Sequence, residues 1–141
     1  MKGQFQNKVL VGGRALVAYG SSRSTSDTDY LVSDPSSTEA FMHDSANNVD
    51  FLNAAGNSFF AEIFALESGN QIASPQSLLE LKAYAFVQHC QNFNFQKADD
   101  CEFDMRFLVR KFNLEGVNIV NGHVGKGELS EINKVINSTK K

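Results

Sequence analysis

The chain has 141 residues, 42% of them apolar and 21% charged, which suits a folded domain with a real core and excludes wholesale disorder. Its 13 Lys+Arg against 16 Asp+Glu give a formal charge of −3, which argues against a broad basic face for nucleic acid. No apolar run reaches the ~18 residues of a membrane helix, and MKGQFQNKV lacks the apolar stretch of a secretory signal, so the expectation is a cytoplasmic protein with no membrane partner.

Taken in chain order, Lys8–Val11 is a short apolar run ending in Gly12-Gly13, a buried strand stopped by a flexible turn. Arg14–Tyr19 has helical composition, with Gly20 placed as a C-cap. Ser21–Ser26 is a polar loop, and Thr28–Ser33 is a β-prone segment closed by Asp34-Pro35. Ser36 or Ser37 can cap a short polar helix reaching about Asn47. Val49–Leu52 reads as the next strand, and Ser58–Leu66 fits a helix or a strand equally, with a turn over Glu67–Asn70.

Ser74-Pro75 is a strong helix start, and the spacing predicts a helix to about Gln91 that buries Leu78, Leu79, Leu81, Ala85 and Phe86. A second helix is predicted over Lys97–Phe112, with Phe103, Phe107, Leu108 and Phe112 as its apolar stripe. A last amphipathic stretch runs from Glu128 to Ile136. Cys90 and Cys101 have no metal-ligand spacing and read as free thiols. The order predicts an α/β (α+β) fold, a small sheet with a helical C-terminal half.

The chemistry concentrates in VGGRALVAYGSSRSTSDTDYLV, residues 11–32. Asp27 and Asp29 are two apart on a predicted strand, so both side chains share a face. Carboxylates held side by side repel, and a divalent cation between them is the usual remedy. Alone, such a pair is more often a solvated turn. Here, a strand ending in Gly-Gly feeds a helix whose first amides form a phosphate site. Arg23 and Thr25, on the loop between, can reach phosphates as a charged fork and a hydroxyl donor.

Gly12-Gly13, Ala15-Leu16, Gly20, Arg23, Thr25 and Asp27-Thr28-Asp29 together resemble the signature of the nucleotidyltransferase superfamily of DNA polymerase beta type. The string GGxAL…GxxRxTxDxD is most similar to small bacterial nucleotidyltransferases that include AbiEii-type toxins of type IV toxin–antitoxin systems. Thr28 stands where that family has an apolar residue. The resemblance implies a third carboxylate on a neighbouring strand, matched by Asp50, with Glu62 as the competitor. SPxxLLxxK is matched by Ser74 to Lys82, which implies that Lys82 contacts nucleotide phosphates; read from the residues alone, Lys82 is a snorkelling surface lysine. Asp99, Asp100 and Asp104 match loosely the acidic residues the family carries next, and Asp104 can equally pair with Lys82, Arg106 or Arg110.

The resemblance covers about residues 9–112. It implies a single nucleotidyltransferase-like domain over 1–141, with a catalytic α/β core over 1–73 and a helical part over 74–141. The sheet would be a small mixed one of the nucleotidyltransferase type flanked by helices. The implied activity moves a nucleoside monophosphate from an NTP to an acceptor hydroxyl. Asp27, Asp29 and Asp50 would hold two Mg²⁺ ions, Asp50 would activate the acceptor, and Gly12, Gly13, Arg23, Thr25 and Lys82 would meet the nucleotide. The acceptor would be a tRNA, a small molecule or a protein, and a toxin would bring an antitoxin as partner. The alternative is a non-catalytic nucleotide- or partner-binding module with the same fold. A third reading is an unrelated α/β domain.

Overall fold

A computed structural model describes residues 7–25 and 27–140. Their contacts cluster into two compact units, one ending at Ser74 and one beginning at Pro75. The first holds β1 (Val9–Val11), α1 (Gly12–Ala18), β2 (Thr28–Val32), β3 (Phe41–Asp44), β4 (Val49–Asn53) and α2 (Ser58–Glu67). The second holds α3 (Pro75–Gln91), α4 (Phe95–Phe112) and α5 (Lys126–Thr139). This is the expected mixed α/β class with a helical C-terminal half, and no described helix is long and apolar enough to cross a membrane.

The four strands form one mixed sheet in the order β1-β2-β4-β3. The two central strands, β2 and β4, run parallel, while β1 and β3 pair antiparallel to them on either side. The outer edge of β1 is held by the segment after α2: Leu10 N–H donates to the Gln71 carbonyl at 2.8 Å, and Ala73 N–H donates to the Leu10 carbonyl at 3.0 Å. Val9, Val11 and Leu31 lie on one face and are buried with Leu16, Phe59, Phe60 and Ile63. Helix α1 packs on β1 and β2, and α2 on β2 and β4. Fully burying each such side chain contributes roughly 1.5–3 kcal/mol before entropy is counted.

In this unit two expectations change and one open alternative is resolved. First, the helix starts at Gly12, two residues early, so strand passes directly into helix; Tyr19 is its C-cap, with Gly20 just beyond. Second, the segment Ser58–Leu66 is helical, because Asn57 accepts the Phe60 N–H at 2.9 Å and opens α2.

Third, the polar helix predicted from Ser36 or Ser37 to Asn47 is absent, and β3 stands there. Its polar residues satisfy local turns instead of a helix. Asp34 accepts from Ser36 N–H, Ser37 accepts from Glu39 N–H, and Asp44 accepts from Ala46 N–H and the Asn47 amide. Asn48, at φ 53°, then closes the hairpin into β4. Buried Asn53 fixes the approach to β3: its amide donates to the carbonyls of Asp34, Ser37 and Glu39, and its oxygen accepts the Asp34 N–H.

In the helical unit, Pro75 opens α3 as its first residue, where a missing N–H costs nothing. Leu78, Leu79, Leu81 and Phe86 are buried as expected, with Ala83 and Val87 more covered than Ala85. Buried Glu80 accepts N–H groups of Asn118, Ile119 and Val120 at 2.7, 3.1 and 2.9 Å, which pins the chain after α4 onto α3.

The stripe of α4 differs from expectation. Ala98, Cys101, Asp104, Met105, Leu108 and Val109 are buried, while Phe103 is 52% exposed and Phe107 and Phe112 are half-buried. A buried aspartate on the inner face turns the stripe away from the phenylalanines. Both cysteines are thiols, as expected, with Cys101 buried and Cys90 half-buried.

Candidate functional site

Parallel pairing of β2 with β4 sets Asp29 opposite Asp50 in register. Paired residues of adjacent strands point to the same face, so the two carboxylates stand side by side. The antiparallel neighbours extend the line at both ends: Val11 of β1 is opposite Asp29, and His43 of β3 is opposite Asp50. Val11, Asp29, Asp50 and His43 thus form one row across all four strands. Along the same face Val9 and Leu31 are buried, and the acidic row begins where that cover gives out.

The glycine turn closes over this row. Gly12 has φ +72°, a left-handed conformation that L side chains rarely adopt, and a Cβ there would lie 2.3 Å from Asp29 Oδ2. A Cβ on Gly13 would lie 2.7 Å from Thr25 Oγ1 and 2.9 Å from an Arg23 guanidinium nitrogen. Both glycines are therefore needed sterically, one beside a carboxylate and one beside a hydroxyl and a cation. Helix α1 is only seven residues long, and Val11 at its N-cap offers no capping side chain.

The loop that carries Arg23 and Thr25 braces itself. Ser21 Oγ accepts the Arg23 N–H at 3.2 Å, and Thr25 Oγ1 accepts the Asp27 N–H at 3.3 Å. Ser26, which the sequence places in the same loop, lies outside the described residues. Asp27 is exposed and stands one residue before β2, so it is a loop residue beside the strand rather than a strand residue. Arg14 Nε donates to Thr28 Oγ1 at 2.7 Å, linking α1 to the start of β2.

Asp50 is therefore the carboxylate that joins Asp29 on the neighbouring strand; Glu62 is exposed on α2. His43 was not among the sequence-predicted site residues. Its Nδ1–H donates to Asp50 Oδ1 at 2.6 Å, with both side chains about half exposed (50% and 49%). An Asp44-to-Asn48 turn signal between two short apolar-containing runs was the clue to the hairpin that places it.

Lys82 and Asp104 belong to the helical unit. The ammonium lies 3.0 Å from Asp104 Oδ2, and the side chains are 15% and 0% exposed. Lys82 is thus the partner of Asp104, and Arg106 pairs with Glu102 at 2.7 Å. Asp99 is exposed and Asp100 half-buried on α4.

Asp29 and Asp50, in register on adjacent strands, match in donor type what a hard divalent cation takes, and Asp27 stands two residues before Asp29 in the chain. Among the described residues, no group of three or more His, Cys, Asp or Glu side chains forms a ready metal site. Mg²⁺ is characteristically held by one or two carboxylates plus substrate phosphates rather than by an all-protein cage, so the residues fit that ion by chemistry. A scan against protein-family models found no matching family for this chain, and searches of curated proteins and of solved structures found no match either.

Proposed function

We propose that the row at the end of the sheet is the site of a Mg²⁺-dependent nucleotidyltransferase, with an NTP as donor and a hydroxyl as acceptor. The observation that carries this reading is the register of Asp29 with Asp50 beneath a glycine whose missing side chain leaves room for the Asp29 carboxylate. Gly13, Thr25 and Arg23 meet next to it, and a small residue beside a hydroxyl donor and a guanidinium suits phosphate oxygens.

Mg²⁺ held by Asp27, Asp29 and Asp50 would offset the negative charge of the triphosphate and of the leaving pyrophosphate. In the transfer, the acceptor oxygen bonds to the α-phosphorus of the NTP. The bond from that phosphorus to the bridging oxygen breaks, and pyrophosphate leaves with the electron pair. Asp50 takes the acceptor proton, since a carboxylate within hydrogen-bond reach of a hydroxyl can serve as its base. Arg23 and Thr25 position the phosphates and add fixed dipoles and charge, which is most of what such a reaction asks of a protein. A tRNA, a small molecule or a protein remains the range of acceptors, and a toxin role with an antitoxin partner belongs to the same proposal.

A second reading, nucleotide binding without transfer, is favoured by the His43–Asp50 hydrogen bond, which already engages one oxygen of the proposed base. Thermal unfolding with each NTP, with and without Mg²⁺, separates the two from an unrelated domain. At 100 times its Kd a ligand adds roughly 2.7 kcal/mol, a shift of several degrees at this size. The expected result is a Mg²⁺-dependent shift for at least one NTP that Asp29→Asn removes without lowering the melting point of the protein alone. A shift indifferent to Mg²⁺ supports binding without chemistry, and no shift with any NTP overturns both.

A further inference from the structure

We infer that His43 is a positioning residue for Asp50, holding that carboxylate in the orientation in which the site binds a divalent cation with its nucleotide. The inference rests on the nucleotidyl-transfer reading of the same site. Asp50 has a like charge, Asp29, in register on one side and His43 in register on the other. A half-exposed carboxylate beside a second one would otherwise turn toward solvent, because rotation separates the charges at little cost. The Nδ1–H of His43 bonds Oδ1 at 2.6 Å and so fixes which oxygen is engaged by protein. Oδ2 is then the oxygen left for a ligand.

His43 is itself well placed to do this. Its strand is braced at the front by Asn53, which holds the carbonyls of Asp34, Ser37 and Glu39, and whose own N–H donates to the Ala40 carbonyl at 2.8 Å. Behind it, Asp44 accepts from Ala46 N–H and Asn47 Nδ2 in the hairpin turn. The Phe41 ring on the same strand face meets Phe60 edge-on, with centroids 5.5 Å apart. An imidazole on so fixed a backbone holds its partner more tightly than a pair of long surface side chains would. A hydrogen bond between two half-exposed side chains adds little to stability, so its removal is expected to show in ligand affinity before it shows in folding.

The experiment measures the Mn²⁺ dissociation constant by water-proton relaxation in the presence of each of the four NTPs, alongside the melting point of the metal-free protein. Wild type, His43→Ala, His43→Gln, His43→Asn and Asp29→Asn are compared. Outer residues that orient a metal ligand typically contribute 10–100-fold in affinity, so His43→Ala and His43→Gln are expected to weaken Mn²⁺ about tenfold or more. Asn places an amide N–H close to the position of Nδ1 and is expected to restore affinity to within about threefold, whereas Gln reaches past it. Melting points should stay together.

If wild type binds Mn²⁺–NTP, Asp29→Asn abolishes it and every His43 variant binds as wild type does, the positioning role is overturned while the site stands. That role is equally overturned if His43→Asn loses as much affinity as His43→Ala. If wild type binds no Mn²⁺ with any NTP, the nucleotidyl-transfer reading is overturned and this inference with it.

Discussion

In the sheet unit, Asp50 stands 49% exposed beside another carboxylate, with an equally accessible imidazole as its partner. In the helical unit, Asp104 is wholly buried and has the Lys82 ammonium 3.0 Å away. The two environments set what each charge can do. A carboxylate in water keeps its hydration and can exchange one partner for another at small cost. A buried one has lost that hydration, and the attraction of its counter-ion must make up for it. The first arrangement suits a group that takes up and releases ligands; the second suits a group that specifies how two helices meet. The resemblance, and not the residues alone, ranked Lys82 with the nucleotide ligands; in the helical unit its side chain is 15% exposed and pairs with Asp104.

The largest effect that tests this contrast is Lys82→Met. Removing one partner of a buried pair leaves the other charge uncompensated, so urea unfolding should show a loss of about 3–5 kcal/mol. Adding Asp104→Leu to that variant should recover much of the loss. A single substitution that leaves stability unchanged would place Asp104 with the exchangeable carboxylates instead.

Gly12→Ala is the corresponding break on the sheet side. A left-handed φ and a 2.3 Å approach to Asp29 Oδ2 together make the substitution strained, by about 1–3 kcal/mol, and displace the carboxylate. Both urea stability and any Mg²⁺-dependent NTP effect should fall.

The smallest effect concerns His89, half-buried on α3. Burial first, then the charges of Lys97 and Lys82, hold its pKa below the ordinary 6.5. The folded state therefore binds its proton less readily than the unfolded chain does. Its contribution is fully present above pH 6.5 and is lost as pH falls from there through the folded pKa. His89→Gln should flatten this part of the pH dependence in urea midpoints taken between about pH 8 and about pH 5.

What the sequence made legible was what is local. Val9–Val11 running into two glycines, Thr28–Val32 before Asp-Pro, and Ser74-Pro75 before a leucine-rich run each carry their own start or stop signal. The juxtaposition of Asp29 with Asp50 was reachable only through the resemblance, since nothing in either strand states which neighbour it will have. His43 escaped notice because its role depends on a ladder with β4, and because a polar segment rich in Ser, Asp and Asn reads as a capped helix as easily as a set of turns. The α4 stripe was misplaced for a related reason: hydrophobicity places Phe103 inside and Asp104 outside, and only the presence of Lys82 across from Asp104 reverses that.

The two rims of the sheet also differ in how they face other chains. The outer edge of β1 is closed by Gln71–Ala73, whereas among the described residues the outer edge of β3 has no strand beside it. Open edges are templates for the strands of other molecules, and short, polar ones are poor templates. β3 is four residues long, with His43 directed along the acidic row and Asp44 turned into the hairpin, where its neighbours Asn47 and Ala46 hold its carboxyl below the ordinary carboxylate range and so keep it charged. His43, which completes the row, and Asp44 beside it thus also make the last half of this open edge a poor template for another strand.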